Sequence, residues 1–288
     1  MEKVAIVTDS VATIPPQIAE KYGISVVLSH VVMDGKDYIE TEIDKEQLYA
    51  RLRGKENLPT TSAASPGEIL ESFKRASQQA KAILFISITS HLSAIYSSGL
   101  RAKELAQEQL PDITIEVLDS LTVAAGEALI AIEAAKAANK GKSLSEVTEV
   151  ANKIKQRVSQ LALRESLFHF DRSGRTGTAK DWAKSAIPTA TVLEIDSASG
   201  GVSKPVLRDR TLAKAAEEML DLIEERTKGK SLHAVISHTN RPDKAEELKK
   251  KLLSRFNLAE EVYIGECLPF VGTVNGEGMV DIGFYAED

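Results

Sequence analysis

The chain has 288 residues, 43% of them hydrophobic, with a formal net charge of −6 and one cysteine. A pI near 5.6 argues against a nucleic-acid partner, which needs a concentrated cationic face. The lone Cys267 excludes an intrachain disulfide and argues against a thiolate metal cluster; no run approaches the roughly 20 apolar residues of a membrane span.

The chain opens on a β-branched strand, Val4-Ala5-Ile6-Val7-Thr8-Asp9-Ser10, with no secretory leader ahead of it, so a cytoplasmic protein is expected. Pro15 to Tyr22 reads as a helix ended by Gly23. A second strand is predicted from Ile24 to Val32, followed by the turn Met33-Asp34-Gly35-Lys36 and a short helix from Asp44 through Leu52. In Thr60-Thr61-Ser62-Ala63-Ala64-Ser65-Pro66-Gly67-Glu68, the residues Ser65, Pro66 and Glu68 fit the N-cap, N1 and N3 of a helix. Thr61 and Ser62 fall in the loop leading into it, where free N–H groups and the helix dipole favour an anion.

Two further strands end like the first in hydroxyls or acids: Ile83 to Ser90 and Ile113 to Ser120. Ser90 and Ser93 flank the next helix start. One of them is expected to cap it, leaving the other hydroxyl for a pocket. An alanine-rich helix runs from Ala124 to Asn139, and the capping box of Ser143 and Glu146 starts another that reaches about Gln160.

Beyond this point the pattern changes. Thr191–Ile195 and Lys204–Arg208 flank Ser199-Gly200-Gly201 as a hairpin. A helix (Leu212–Arg226), a strand (Ala234–Ser237), a helix (Pro242–Phe256) and a strand (Val262–Glu266) follow. A glycine-rich turn, Gly272-Thr273-Val274-Asn275-Gly276-Glu277-Gly278, precedes a closing strand, Met279–Tyr285. That turn is no dinucleotide fingerprint, since no helix-forming run follows it.

The reading is therefore an α/β chain of two lobes. Residues 1–155 form an N-terminal lobe around a parallel βαβ sheet, and residues 156–288 form an α+β lobe with helices on one face of its sheet. Ligands of open parallel sheets sit outside the carboxyl ends of the strands. Here those ends promise a belt of neutral hydrogen-bond donors around a pocket with almost no Lys or Arg, suited to an oxygen-rich small head group. His91 reads as a surface group, no histidines have metal spacing, and neither a serine-hydrolase elbow nor a Walker A lysine occurs. Asp9 and Asp119, at strand ends, either accept loop N–H groups or hold a divalent metal for a phosphotransferase or hydrolase.

Taken in order, Thr8-Asp9-Ser10, Thr61-Ser62-Ala63-Ala64-Ser65-Pro66, Ser90-His91-Leu92-Ser93 with Tyr96, Leu118-Asp119-Ser120, Ser173-Gly174-Arg175 and Ser237-His238-Thr239 resemble the motifs of the DegV family, the fatty-acid-binding proteins that serve bacterial fatty acid kinases. The resemblance implies a long-chain fatty acid between the lobes as the only bound group, with no cofactor and no turnover by the chain itself. Its carboxylate would be held by Thr61 and Ser93, in a site that also takes in Ser62, Ser90, Thr273, Val274 and Asn275. A partner fatty acid kinase would phosphorylate it for phospholipid synthesis, with transient membrane encounters. A related alternative is a member that binds lipid without kinase coupling. Arg175 is expected as a kinase-docking residue or a structural ion-pair residue. Val274 stands where the family usually has a histidine that assists at the carboxylate, Ala94 and Ile95 where it has Gly-Thr, and Ser173 where it has glycine.

Overall fold

The computed structural model describes residues 3–54, 56–183 and 189–287. β1 (Val4–Asp9) passes through a 3-10 turn (Ser10–Ala12) into α1 (Pro16–Tyr22). The single strand expected from Ile24 to Val32 is two strands, β2 (Ile24–Val27) and β3 (His30–Met33). Between them the Ser29 N–H leaves the ladder and donates to the buried Glu40 carboxylate at 2.9 Å. A continuous apolar run hides such a break, because hydrophobicity does not say which sheet each half joins. β3 pairs with β4 (Lys36–Ile39) through a tight turn; α2 (Lys45–Gly54) follows. Thr60–Ser62, expected as loop, is a short strand, β5, set against β3 with Thr61 opposite Val31.

α3 (Pro66–Ser77) begins with the expected capping box of Ser65 and Glu68. β6 (Ala82–Ser87), α4 (Ile95–Gln109), β7 (Thr114–Asp119), α5 (Ala124–Asn139) and α6 (Leu144–Arg157) complete the first half. β2, β1, β6 and β7 lie side by side in that order, all parallel. β6 is buried along its whole length, as a central parallel strand covered on both faces should be.

α6 stops at Arg157, short of the expected Gln160, because the chain there switches to a period of two and becomes β8 (Ser159–Arg164). α7 (Phe168–Arg172), a 3-10 turn (Gly177–Ala179) and α8 (Lys180–Ala183) follow. Next come the hairpin β9 (Ala190–Glu194) and β10 (Lys204–Asp209), α9 (Leu212–Thr227), β11 (Leu232–His238), α10 (Pro242–Arg255) and β12 (Tyr263–Glu266). α11 (Pro269–Asn275) and β13 (Val280–Ala286) close the chain. The second sheet runs β10-β9-β8-β13-β11-β12, antiparallel except for the β11–β12 pair.

The glycine-rich turn expected from Gly272 to Gly278 is a correction. Its first half lies inside α11. Gly272 is needed for contact with α2: a Cβ there would stand 2.7 Å from the Tyr49 hydroxyl. A glycine that lets two helices approach looks in sequence like one that makes a turn.

α3 and α4 cover one face of the parallel sheet, and α5 covers the other. α5 also covers the inner face of the six-stranded sheet, while α9 and α10 cover its outer face. The expectation of helices on one face therefore holds only for α9 and α10; α7 and α11 of the second lobe pack on the inner side, where the first lobe also supplies α5. A helix between two sheets must be apolar all round, and α5 is buried at Gly126, Leu129, Ile130 and every alanine but Ala138 of its length. Gly283 of β13 meets its backbone so closely that a Cβ would lie 2.4 Å from the Ala125 carbonyl. No helix among the described residues is long and apolar enough to cross a membrane.

Candidate functional site

Where β1 and β6 end against the inner face of the six-stranded sheet, a narrow slot remains, partly open to solvent, with a cavity volume of about 40 Å³. Val11 and Ile88 come from the loops after β1 and β6, and Val123 and Ala124 from the start of α5. Gln160, Arg164, Ile195 and Asp281 come from the second sheet and its edge, and Phe270, Val271, Val274 and Asn275 from α11. Of the residues that line the slot, only Leu92, Arg175 and Asn275 are half-exposed; the others are buried. Those three mark its mouth.

Val274, Asn275 and Arg175 are thus brought together on the slot. Thr61, Ser62, Ser90, Ser93 and Thr273 lie outside its lining. Ser93 adjoins Leu92 at the mouth, and its hydroxyl oxygen accepts the Ile95 N–H at 3.3 Å. Neither Ser90 nor Ser93 is the N-cap residue of α4; that position falls to Ala94, which offers no side-chain cap. Ser90 is exposed, and its N–H points at the Asp119 carboxylate. Thr61 and Ser62 are half-buried on β5, which packs beside α11, and Arg172 ties α7 to the start of β5 through the Pro59 carbonyl at 2.8 Å. Thr273 is buried in α11, its hydroxyl without a hydrogen-bond partner among the described residues.

The expected hydroxyl belt is largely engaged elsewhere. Thr8 donates to the Ile86 carbonyl, Ser87 to Ile88, Thr89 to Gly201, Ser120 to Thr122 and Thr122 to Ile195. Ser10 bonds to Glu40, whose carboxylate also accepts the Phe270 N–H at 3.1 Å. Loops leaving a buried strand end need their backbone groups satisfied, and nearby hydroxyls do this first.

The slot is also not free of arginine. Arg164 projects into it from β8. Its Nε and Nη2 donate to the Asn275 Oδ1 at 3.1 and 2.8 Å, Nη1 donates to the Ala162 carbonyl, and the guanidinium lies 4.5 Å from the Phe170 ring centroid. Burial pushes its pKa down to about 10. Arg175 donates from Nε to the Leu92 carbonyl at 2.9 Å and from Nη1 to the Ser173 carbonyl at 2.8 Å; partial burial lowers its pKa as well. Sequence reasoning missed Gln160, Arg164, Phe170 and Asp281. The available signal was the alternation Gln160-Leu161-Ala162-Leu163-Arg164, which sends the leucines to one face and Gln160 and Arg164 to the other.

Asp9 and Asp119 each serve loop backbone. Asp9 accepts from Val11 at 3.0 Å and Ile88 at 2.9 Å, and burial raises its pKa to about 7. Asp119 accepts from Leu121 at 3.0 Å. β6 stands between their strands, so two strand spacings, roughly 10 Å, separate the backbones. They do not sit on neighbouring strand ends, and each carboxylate is engaged by loop N–H groups. Among the described residues one group has metal-ligand proximity, Glu133, His233 and Glu260, and there the Lys136 ammonium already pairs with both glutamates. His91 is exposed, and burial raises the Cys267 thiol above its ordinary value.

A family model described as "Uncharacterised protein, DegV family" matches residues 3–287. A DegV domain-containing protein of Halalkalibacterium halodurans is 31% identical over 292 residues, covering 100% of both chains. Among solved structures, a fatty-acid-binding DegV family protein of Thermus thermophilus shares the fold with a TM-score of 0.88 at 23% identity, covering 99% of this chain and 100% of that one. DegV of Bacillus subtilis, described as a fatty acid binding protein, has a TM-score of 0.85 at 25% identity with full coverage of both.

Proposed function

The chain belongs to the DegV family, and on that premise we propose that it binds a long-chain fatty acid in the slot, tail inward and carboxylate at the mouth. One observation carries this reading: the slot is walled mostly by buried apolar side chains and has half-exposed residues only at Leu92, Arg175 and Asn275. The relatives described as fatty-acid-binding support it.

The energetics suit such a ligand. Burying about 14 methylenes is worth up to roughly 11 kcal/mol, against association costs of about 4–15 kcal/mol. The tail alone thus gives modest affinity. Polar contacts at the mouth, each worth roughly 1.5–3 kcal/mol to a carboxylate, set retention and orientation. Ser93 beside Leu92, and Thr61 beside α11, are the hydroxyls we assign to the head group. Arg175 adds positive potential there while two of its donor nitrogens are held by backbone carbonyls. A carboxylate so placed keeps lone pairs available to attack a phosphoryl donor. The finer reading is that the chain is a carrier, presenting the acid to a partner fatty acid kinase for acyl-phosphate formation, with Arg175 also within reach of the docking partner.

Native mass spectrometry of gently purified protein tests the binding. An adduct of fatty-acid mass is expected, lost on delipidation and regained with hexadecanoic acid. Its absence from repeated preparations and failure to reload overturn the proposal. Undiminished lipid and unchanged acceptor activity with a fatty acid kinase in Thr61→Ala/Ser93→Ala overturn the head-group assignment.

A further inference from the structure

We infer that the inner wall of the slot takes an oxygen carried on the ligand's chain: Gln160 and Asp281 select a monohydroxylated long-chain fatty acid over the plain acid of equal length. This rests on the fatty-acid reading above and names the ligand class within it.

β8 and β13 are antiparallel neighbours, with Ala162 opposite Asp281 and Gln160 opposite Gly283. Leu161, Leu163, Val280 and Ile282 point into the core beneath α9 and α10. The strand period of two therefore turns Gln160, Arg164 and Asp281 onto the slot face. In this register Gln160 and Asp281 are diagonal cross-strand neighbours, within reach of one small group between them. Both are 0% exposed and both line the slot. Neither end of the Gln160 amide and neither Asp281 oxygen makes a hydrogen bond of ordinary geometry among the described residues, although the Ser237 hydroxyl and the Ala125 N–H lie close enough to the Asp281 carboxyl to oppose the effect of burial on it.

Buried polar groups are almost always paired, and an unpaired one carries its desolvation cost in full. A Gln160 amide unpartnered at both ends, beside a loosely held Asp281 carboxyl on the same wall of a ligand slot, calls for a partner inside it. A plain methylene chain passing there leaves the Gln160 amide unsatisfied. Burial holds the Asp281 carboxyl up at about 7, so much of it is protonated near neutrality and offers both a donor and an acceptor. The amide offers the same pair. A hydroxyl, itself donor and acceptor, complements both. A charged substituent does not, because Arg164, the cation on this wall, is already held by Asn275 and the Ala162 carbonyl. Gln160 lies four residues from Arg164 along β8, about 13 Å. The polar pair thus sits away from the mouth, along the tail rather than at the head.

The test is a competition on the delipidated full chain between hexadecanoic acid and a positional series of monohydroxyhexadecanoic acids, read by native mass spectrometry. At least one isomer is expected to outcompete hexadecanoic acid by roughly tenfold or more. Its advantage should shrink toward unity in Gln160→Met and in Asp281→Leu. Hexadecanoic acid bound without preference for any isomer overturns the inference and leaves the fatty-acid reading standing, the pair then holding only water. A preference that survives both substitutions also overturns it. Binding of neither acid overturns both readings. The wild-type ratio alone decides the matter if either variant fails to fold.

Discussion

The two sheets treat their polar residues in opposite ways. At the carboxyl ends of the parallel sheet, Thr8, Ser10, Ser87, Thr89, Ser120 and both Asp9 and Asp119 are absorbed by backbone groups or by Glu40 and Glu127. On the inner face of the mixed sheet, neither Gln160 nor Asp281 makes such a bond at ordinary geometry among the described residues, and Arg164 is held mainly by a residue of the slot itself. A strand end is surrounded by turning backbone that demands hydrogen bonds. The face of a sheet has its backbone satisfied within the ladder, so its side chains remain available to a ligand.

The contrast breaks most visibly at Glu40, which joins the turn after β1, the Ser29 N–H and the start of α11. Glu40→Ala leaves three donors unpaired and should cost about 3 kcal/mol or more, read as a lower urea midpoint, with loss of lipid because α11 lines the slot. An unchanged midpoint would show that the strand-end network contributes little. Next in size, Arg175→Ala should weaken fatty-acid retention by roughly tenfold, one charge-assisted contact at the mouth. Retained lipid with loss of kinase coupling would instead make Arg175 purely a docking residue.

Titration sharpens the comparison. Asp9 faces Glu40 and Glu127, and Asp281 faces Arg164 and Cys267; burial raises both from 3.8 to about 7. The folded chain therefore keeps protons that the unfolded chain releases. Stability should fall as pH rises between those values, by up to about 1.4 kcal/mol per pH unit for each group. Asn at either position should flatten the profile. Asp9→Asn should also cost roughly 1–3 kcal/mol by removing an acceptor from Val11 or Ile88, whereas Asp281→Asn should cost little. Equal costs would contradict the distinction between the sheets. Smallest of all, Thr89→Val removes the bond to Gly201 that joins the two halves and should cost about 1 kcal/mol without altering lipid content.

What could be read from the sequence follows local rules. The capping boxes at Ser65 and Ser143, the β9–β10 hairpin, the alanine-rich α5 and the parallel strands β1, β6 and β7 are set by residues close in the chain, and each appears where its pattern places it. The order of motifs was enough to identify the family. The break at Ser29, the strand at Thr60–Ser62 and the helix through Gly272 depend on partners far away: Glu40, Val31 and Tyr49.

The site divides in the same way. Val274, Asn275 and Arg175 were legible as motif positions, and the structure sets them on one slot. Gln160, Arg164 and Asp281 belong to no motif, and they meet only because β8 and β13 pair across more than a hundred residues in a register that turns them inward. The sequence by itself determined the elements and the kind of chemistry, since propensity and patterning act over a few residues. Tertiary structure alone decided which polar groups are consumed in holding the chain together and which remain for a ligand, since a hydrogen bond needs both partners in place.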